Sequence, residues 1–462
     1  MGLNPSGSKT PIAVVGTGLA GLVVAHLLHN DPLQRYHVTL FEKQDRISLS
    51  SASVTVEDSH GRRDIIDVPM RAFAPGYYRH MKAMLDFFRV QYEAQKFLFA
   101  FSTTSPLKGE APPYYVHASG LHRLPSRAQG ASIINWLKQI AYLGLCFFWL
   151  SICCYFVAPR HDESFETYLA RIYLPERFVV QYLLPLISSV ATCSHQELLQ
   201  FPAQDFVTYR KRLLSSEHFC LTHGIQDVQQ KLVEGIDLRL ATEVHDITSA
   251  EGQNRLYWRT QGRHGPESDS QCFAHVIIAT SPDIVGKLVP PLSKVMLKIP
   301  TTHVKASIHH SEGAQSKLSV VKDVSAPSGK SEKSRTRIMS GTQLIALKTH
   351  TESPSWTEAH QLFPSGACVA VNAPEAEQAA SVLSHAHFTR TLRTVESRAL
   401  TNRLFGGTAG EEVDKSAEPQ WTNGTNGIWL AGSWCWDGMV LLEGCVVSAS
   451  RIATKLGVEI PW

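Results

Sequence analysis

The chain opens with a pattern of apolar and small residues that predicts a strand, a glycine turn, a helix and a second strand. Pro11 to Val15 is a short apolar, β-branched run, and an apolar helical stretch follows the turn as far as His29. A second apolar run, from His37 to Phe41, ends at Glu42. This order is typical of a βαβ unit, in which a helix connects two parallel strands.

Three later segments continue the pattern. Ala274 to Thr280 is an apolar run of the kind found in buried parallel strands, and Asp237 to Ile247 alternates like a strand. Gly427 to Ala431 predicts another strand, and Gly444 to Leu456 predicts the helix after it. We therefore expect separated stretches of the chain to build one nucleotide-binding domain.

The predicted fold class is α/β, with a Rossmann-like dinucleotide-binding domain that is discontinuous in sequence and an inserted α+β, helix-rich substrate lobe. We expect the insertions to form the lobe, and residues 76–224 to be mainly helical. The predicted bounds are 11–75, 225–285 and 425–462 for the nucleotide-binding domain, and 76–224 and 286–424 for the lobe.

The lobe contains the most apolar segment of the chain, about 139–159. No charged residue occurs from Gln139 through Pro159, and Ile140 to Val157 approaches the roughly 20 residues that cross a bilayer. Three interpretations are open: a buried helix of the lobe, an interfacial helix, and a membrane span. Residues 311–342, rich in Ser, Lys, Gly and Thr, are predicted to form a surface loop.

Composition narrows the class of protein. Charged residues make up 18% of the chain, where roughly 25% is typical, so part of the molecule must be shielded from water. The 44 Lys and Arg against 41 Asp and Glu give a net charge of +3, which argues against a nucleic-acid partner. No secretory leader is visible, so we expect a cytoplasmic protein, or a membrane-associated one facing the cytosol.

The cysteines and histidines do not predict a metal site. The nine cysteines form neither a CxxC pattern nor a regular disulfide framework, so we interpret them as reduced core thiols. His309 and His310, and likewise His385 and His387, lack a carboxylate at metal-ligand spacing.

The glycine turn after the first strand carries the clearest chemistry. Gly16 permits the tight turn, Gly18 lets the backbone approach a pyrophosphate, and Gly21 lets the helix lie close to the sheet. Unpaired N–H groups at the helix start, at Leu19 and Ala20, would face the phosphates. Glu42 lies 21 residues past Gly21, where a carboxylate accepts hydrogen bonds from ribose hydroxyls. The turn therefore predicts a dinucleotide without a 2′-phosphate.

The carboxyl-terminal run LAGSWCWDGMVLLEGCVVSA, from Leu430 to Ala449, resembles the flavin motif of the FAD-dependent amine oxidase and phytoene desaturase superfamily. The resemblance implies FAD as the cofactor. The start of the last helix would stabilise negative charge at the flavin. By this likeness the motif contributes to the cofactor site Gly432, Leu442, Glu443, Gly444 and Cys445.

The middle of the chain is similar to the helical lobe of amine-oxidase-like flavoproteins of bacteria and fungi, at Glu163 to Leu169, Leu183 to Leu186 and Phe201 to Ala203. The same resemblance implies that the backbone of Val244 holds the adenine ring and that Lys43 and Arg46 lie at the phosphates.

The sequence departs from the family at two turns. Ile47 to Ser50 replaces a glycine turn, and Pro69 with Met70 removes a glycine expected beside the flavin.

Few residues are candidates for catalysis, because flavin oxidations require mainly that the substrate be placed against the ring. By resemblance, Lys305 lies near the position of a lysine that holds water against the flavin; the alternative is a solvent-facing strand lysine. Arg71, with Tyr77 and Tyr78, would meet an anionic substrate group or form an interdomain salt bridge.

These observations predict an FAD-dependent oxidoreductase that removes a hydride from an apolar small molecule and forms a C=C or C=N bond. A lipid, polyketide or isoprenoid substrate is favoured over a polar amine. Binding to a membrane surface is a further possibility that the sequence leaves open. Two alternatives remain: a non-catalytic prenyl-binding or partner-binding protein of the same fold, similar to the GDP-dissociation-inhibitor group, and a redox-neutral flavin isomerase.

Overall fold

The computed structural model describes residues 9–47, 53–57, 61, 63–68, 72–105, 109–119, 132–213, 216–250, 252–262, 265–310, 342–363, 365–377, 382–406 and 421–462. Almost all of the predicted surface loop at 311–342 lies outside the described residues, as do Arg71, Pro69, Met70 and Ser48 to Ser50.

The chain begins with a strand, a helix and a strand and ends with a strand and a helix, and its middle contains runs of consecutive strands and of consecutive helices. The strands are β1 (Thr10–Val15), β2 (Tyr36–Phe41), β3 (Ser53–Glu57), β4 (Arg63–Asp67), β5 (Tyr92–Ala94), β6 (Lys96–Ser105), β7 (Gly109–Glu110), β8 (Tyr115–Ala118), β9 (Phe219–Leu221), β10 (Asp237–Arg239), β11 (Thr242–Ala250), β12 (Gln253–Gly262), β13 (Gly265–Phe273), β14 (His275–Ile278), β15 (Thr301–His310), β16 (Thr342–His350), β17 (Trp356–Leu362), β18 (Ala367–Val371), β19 (Val382–Thr391) and β20 (Ile428–Leu430). The helices are α1 (Leu19–His29), α2 (Arg79–Phe87), α3 (Ile133–Phe156), α4 (Phe165–Arg171), α5 (Glu176–Phe178), α6 (Leu184–Ala191), α7 (His195–Leu199), α8 (Ala203–Leu213), α9 (Gly224–Val233), α10 (Pro282–Leu288), α11 (Ser293–Met296), α12 (Pro374–Glu377), α13 (Val395–Phe405) and α14 (Leu442–Lys455). A π-helical turn, Val179–Leu183, joins α5 to α6.

The first lobe contains a five-stranded sheet with the strand order β10-β2-β1-β14-β20. Each neighbouring pair of strands in it is parallel. It draws its strands from three separated segments of the chain. Ile12 and Val14 of β1 pack with α1 and α14 on one face, and Ala13 and Val15 join the core on the other. Burial on both faces explains why the strands are continuous apolar runs.

The predicted single strand from Asp237 to Ile247 is wrong. Asp237–Arg239 joins the five-stranded sheet, whereas Thr242–Ala250 belongs to the antiparallel sheet β11-β12-β13. Ala241, between the two, has a φ of 49°, in the left-handed region. This turn redirects the chain, so its continuous alternation conceals two strands in two sheets.

The second lobe is built around an eight-stranded sheet, in the order β19-β15-β18-β17-β16-β6-β7, with β8 also paired to β6. The expectation that residues 76–224 are mainly helical is therefore wrong for β5 to β9. In β6, Phe97, Leu98, Ala100 and Phe101 are all buried, so both faces of the strand are covered. Such a strand lacks alternation, and its apolar run alone does not distinguish it from a helix.

The apolar segment of the lobe forms α3, which begins at Ile133 and ends at Phe156, shifted from the predicted 139–159. It begins early because the Ser132 side chain accepts a hydrogen bond from the N–H of Asn135 and so caps the helix. In the described chain it is the one helix long and apolar enough to cross a membrane, and only 28% of its most apolar window is buried. A fully buried lobe helix is therefore excluded.

Candidate cofactor site

The glycine turn lies at the carboxyl end of β1. Gly16 has a φ of +100°, and a Cβ on Gly21 would overlap the carbonyl oxygen of Gly16, so α1 can approach the strand only with glycine there. Gly18, by contrast, faces open space: no atom of the described residues lies within 4 Å of where its Cβ would be. Helix α1 starts immediately after it, so the N–H groups of Leu19 and Ala20 are available to a ligand.

Glu42 follows β2 at the same edge of the sheet and is 5% exposed. Its Oε2 accepts hydrogen bonds from the backbone N–H and the hydroxyl of Thr17, at 3.1 and 2.6 Å, and its Oε1 accepts from the N–H of Gln44 at 3.0 Å. A carboxylate offers about four acceptor positions, so one remains for a ribose hydroxyl. Lys43 and Arg46 lie exposed on the turn that follows.

The start of β11 lies beside Glu42, because the N–H of Thr242 donates to the carbonyl oxygen of Glu42 at 2.8 Å. Val244, two residues further on, is buried and pairs with Trp258 of β12. The structure therefore brings Val244, Glu42 and the glycine turn to one end of the sheet, where an adenosine moiety would lie.

The carboxyl-terminal motif forms a tightly held turn between β20 and α14. The Ser448 hydroxyl lies 3.1 Å from both the nitrogen and the carbonyl oxygen of Gly432. The indole N–H of Trp434 donates to the carbonyl oxygen of Thr280, after β14. A side chain at Gly444 would overlap the Trp436 indole, so the glycine is required for the ring to pack on the start of α14.

Glu443 was predicted to be a cofactor ligand, but its carboxylate binds protein groups. It is 1% exposed and accepts hydrogen bonds from the N–H and Nδ1 of His80 at 2.9 and 2.7 Å, and from the N–H of Met81 at 3.0 Å. These N–H groups belong to the first turn of α2, where a negative charge is favourable. The side chain therefore fixes α2 against α14, and the backbone at the start of α14 is what this segment offers a cofactor.

A buried arginine network holds the same turn, and sequence reasoning missed it. Arg393, 1% exposed, donates to the carbonyl oxygens of Trp436 and Trp434 at 2.7 and 2.8 Å. Its Nε lies 3.8 Å from Asp205 of α8, whose other carboxylate oxygen accepts from Arg398 at 3.1 Å. Nothing in the local sequence marks Arg393, because its partners come from distant segments.

A second arginine, Arg390, lies close to the start of α14. It stands opposite Thr302 in the pairing of β19 with β15, and its charge interacts with Tyr78, Cys193 and Cys445. Burial lowers the pKa of Arg390, and the neighbouring thiols and phenols oppose that shift, but an arginine stays cationic at neutral pH. Among the described residues its guanidinium has no hydrogen-bond acceptor. The site therefore contains a cation with unused donors.

Lys305, the candidate catalytic lysine, lies on β15 of the lobe sheet. It is three residues from Thr302 on β15, so it projects from the opposite face of the sheet from Arg390. There it lines a pocket of about 320 Å³ with Glu197, His303 and Trp356. Lys305 is exposed, as expected for a solvent-facing strand lysine, and its catalytic role stays a prediction.

The buried thiols of Cys154 and Cys193 are unsuited to nucleophilic catalysis. All nine cysteines are free, and seven of them are buried. Burial raises the pKa of Cys154 to about 11 and that of Cys193 to about 12, so both stay protonated at neutral pH. Across the described ranges, no group of three His, Cys, Asp or Glu side chains is arranged to hold a metal ion.

Comparison with known proteins gives the same picture of the fold. Residues 14–88 match the model of the NAD(P)-binding Rossmann-like domain. The whole structure is similar to a protein of Exiguobacterium sp. 255-15 that is provisionally named a protoporphyrinogen oxidase, with a TM-score of 0.58 and 16% identity over 98% of this chain and 100% of that one. It is also similar to a triple mutant of putrescine oxidase with redesigned cofactor binding, with a TM-score of 0.54 and 11% identity over 97% of this chain and 98% of that one.

No curated protein matches the sequence significantly. The two structural likenesses extend over both lobes and show that the chain shares the fold of these two proteins. They confirm the predicted fold class and the predicted resemblance. The family-model match covers the glycine turn, Glu42 and the whole of α2.

Proposed function

We propose that the chain is an FAD-dependent oxidoreductase that removes a hydride from an apolar molecule and leaves a C=C or C=N bond. One observation carries this proposal. The glycine turn after β1, Glu42 after β2 and the start of α14 after β20 lie at the same carboxyl edge of a parallel sheet, where open α/β sheets bind their ligands. A dinucleotide bound along this edge would have its pyrophosphate at the start of α1 and its flavin near the start of α14.

The residues fit the adenosine half of FAD. The open space at Gly18 would receive the pyrophosphate, the N–H groups of Leu19 and Ala20 would bind its oxygens, and Glu42 would accept from a ribose hydroxyl. The backbone of Val244 would hold the adenine ring. Lys43 and Arg46 are exposed and contribute positive charge nearby.

The flavin half would lie toward the start of α14. FAD, when bound there, supplies a two-electron acceptor for the hydride, and the substrate also loses a proton to water or a base. The helix start would favour the negative charge that develops on reduction. Arg390 adds a second positive group on the same side, and it would hold a negative charge of the cofactor or of the substrate. Oxygen or another acceptor would then take the two electrons.

An apolar substrate is favoured by what surrounds this region. Tyr77, Tyr78, Tyr209 and Trp436 pack edge to face beside the start of α14. Burial raises the pKa of Tyr77, Tyr78 and Tyr209, so these phenols stay neutral. Apolar and neutral surroundings of this kind suit a lipid, polyketide or isoprenoid chain better than a polar amine.

The cofactor assignment is tested by the visible spectrum and FAD content of the purified full-length protein, with Gly18→Ala as the variant. The backbone at Gly18 is extended, with φ −63° and ψ 167°, and its surroundings are open, so alanine should change the free energy of unfolding by less than about 1 kcal/mol. The methyl group would occupy the space of the pyrophosphate and weaken FAD binding at least about tenfold. Gly144→Ala, in α3 and equally open, is the matched control and should retain FAD.

The reaction is tested by anaerobic mixing of the flavin-loaded protein with fatty-acyl, isoprenoid, polyketide and amine compounds. Loss of the oxidised flavin absorbance with an apolar compound would support the proposal. A colourless protein that cannot be reconstituted with FAD would contradict it and favour a non-catalytic binding protein. Turnover without any net change in the flavin would indicate an isomerase.

A further inference from the structure

We infer that the exposed face of α3 binds a membrane surface containing anionic lipids, with the helix lying in the plane of the interface. The inference does not depend on the cofactor, because it rests on a surface of the second lobe. It takes up one of the three interpretations that the sequence of this segment left open.

The exposed side of α3 is mainly apolar, and Lys138 is the one charged residue of the helix. The exposed large apolar side chains of this helix are Ile133, Ile134, Leu137, Leu145, Phe148, Trp149, Tyr155 and Phe156. Leu145 is 69% exposed and Phe148 is 66% exposed. At 100° per residue these side chains fall on one side of the helix, opposite the buried stripe. Contiguous apolar surface of this extent marks a site of interaction.

The opposite side of α3 is fixed to the protein. Leu143, Cys146, Leu150, Cys153 and Cys154 form its buried stripe. Polar contacts tie the helix at three levels: Gln139 donates to the hydroxyl of Tyr182, the Trp149 indole donates to the carbonyl oxygen of Ile172, and Arg210 donates to the hydroxyl of Ser151. A bilayer span would require these contacts to break, so the structure favours a helix that lies on the membrane with one face inserted.

Exposed apolar side chains also occur on two segments that contact α3. Tyr173, which follows the Ile172 carbonyl held by Trp149, is 87% exposed. Val180, in the π-helical turn, is 44% exposed. The apolar area is thus broader than one helix, as a surface that contacts a bilayer requires.

Positive charges border this surface. Lys138 is exposed on α3, Arg177 lies 5.8 Å from the ring centroid of Tyr142, and Lys211 lies 5.7 Å from that of Tyr155. The sequence of α3 contains no acidic residue. Cations around an apolar face match an anionic headgroup layer, whereas a second copy of α3 would bring no acidic partner for them. The charge pattern therefore favours a lipid surface over self-association.

The test is flotation of the purified full-length protein with vesicles of phosphatidylcholine alone or mixed with phosphatidylserine. The double variant Leu145→Gln, Phe148→Gln should reduce binding at least about tenfold, because two inserted side chains are lost. Leu33→Gln with Leu297→Gln is the matched control, since both leucines are exposed away from α3. The triple variant Lys138→Gln, Arg177→Gln, Lys211→Gln should lose the preference for phosphatidylserine.

Equal unfolding midpoints for all variants would show that the fold is intact. Binding that falls in the α3 variant and persists in the control supports the inference. Failure of the native protein to float with either vesicle overturns it, as does a dimer, seen by sedimentation equilibrium, that the Leu145 and Phe148 substitutions dissociate.

Discussion

The guanidinium of Arg393 donates a hydrogen bond to the carbonyl oxygen of Trp436 at 2.7 Å, across 43 residues of chain. The arginine follows β19 of the lobe sheet, and the tryptophan lies in the turn that leads to α14. A side chain from the lobe therefore fixes the backbone of the segment proposed to face the flavin.

Arg393→Met should destabilise the protein by about 3–5 kcal/mol, because it leaves two backbone carbonyls buried without their donor and removes a positive charge 3.8 Å from the buried Asp205. The free energy of unfolding, measured in denaturant, checks this value. Arg398→Met is the comparison, since Arg398 is 16% exposed and should cost less. Equal stability of Arg393→Met and the native protein would contradict the role of this network.

Gly21→Ala should lower the stability of the protein, whereas Gly18→Ala should mainly weaken FAD binding. The new methyl group would overlap the backbone oxygen of Gly16, so α1 must move from the sheet, at a cost of about 1–3 kcal/mol or more. Thermal unfolding of the two variants in the absence of FAD separates the effects. If both variants lowered the stability equally, the space described at Gly18 would be wrong.

Glu443→Gln should lower the free energy of unfolding by about 1.5–3 kcal/mol, because a neutral amide accepts fewer hydrogen bonds than the carboxylate that binds His80 and Met81. His80→Ala removes only the side-chain contact and should cost less. Hydrogen exchange in the first turn of α2 should accelerate in Glu443→Gln. Unchanged protection there would show that Glu443 does not hold this helix.

Arg390→Met should leave the stability equal or raise it, since the guanidinium has no hydrogen-bond acceptor among the described residues and its burial is costly. Turnover should fall at least about tenfold if the arginine holds a charged group. The FAD dissociation constant and the KM for substrate, measured together, show which molecule it contacts. Full activity with unchanged constants would remove Arg390 from the site.

The protein should become less stable in acid, in part because the Glu163 carboxylate becomes protonated. Its hydrogen bonds from Arg171, at 2.6 and 2.7 Å, outweigh burial and hold the pKa of the Glu163 carboxyl below its ordinary value of 4.5. A lowered folded pKa stabilises the protein above the unfolded pKa, and this contribution is lost as the pH falls through the folded value.

Arg171→Gln should therefore cost about 1.5–3 kcal/mol at pH 7 and much less near pH 2, as measured by urea unfolding at each pH. Lys82→Gln, which breaks the exposed pair with Asp86, is the control and should cost under about 1 kcal/mol. An Arg171→Gln penalty that is independent of pH would contradict the ion-pair explanation.

The sequence by itself determined the βαβ unit, the glycine turn, the position of Glu42 and the likeness of the last helix to a flavin motif. These are local patterns, because the spacing from Gly16 to Glu42 is set by the rise of one helix and one strand. Residues that must lie close in the chain to work together are visible in the chain.

The tertiary structure alone decided what depends on distant segments. The carboxylate of Glu443 binds a helix that lies 363 residues earlier, Ala241 sends one alternating run into two sheets, and β6 is a strand because both its faces are covered. The sequence of α3 is also ambiguous, because its apolar residues do not show which side of the helix is buried and which is exposed. Only the packing of α8 and the π-helical turn against one of its sides shows which face remains open.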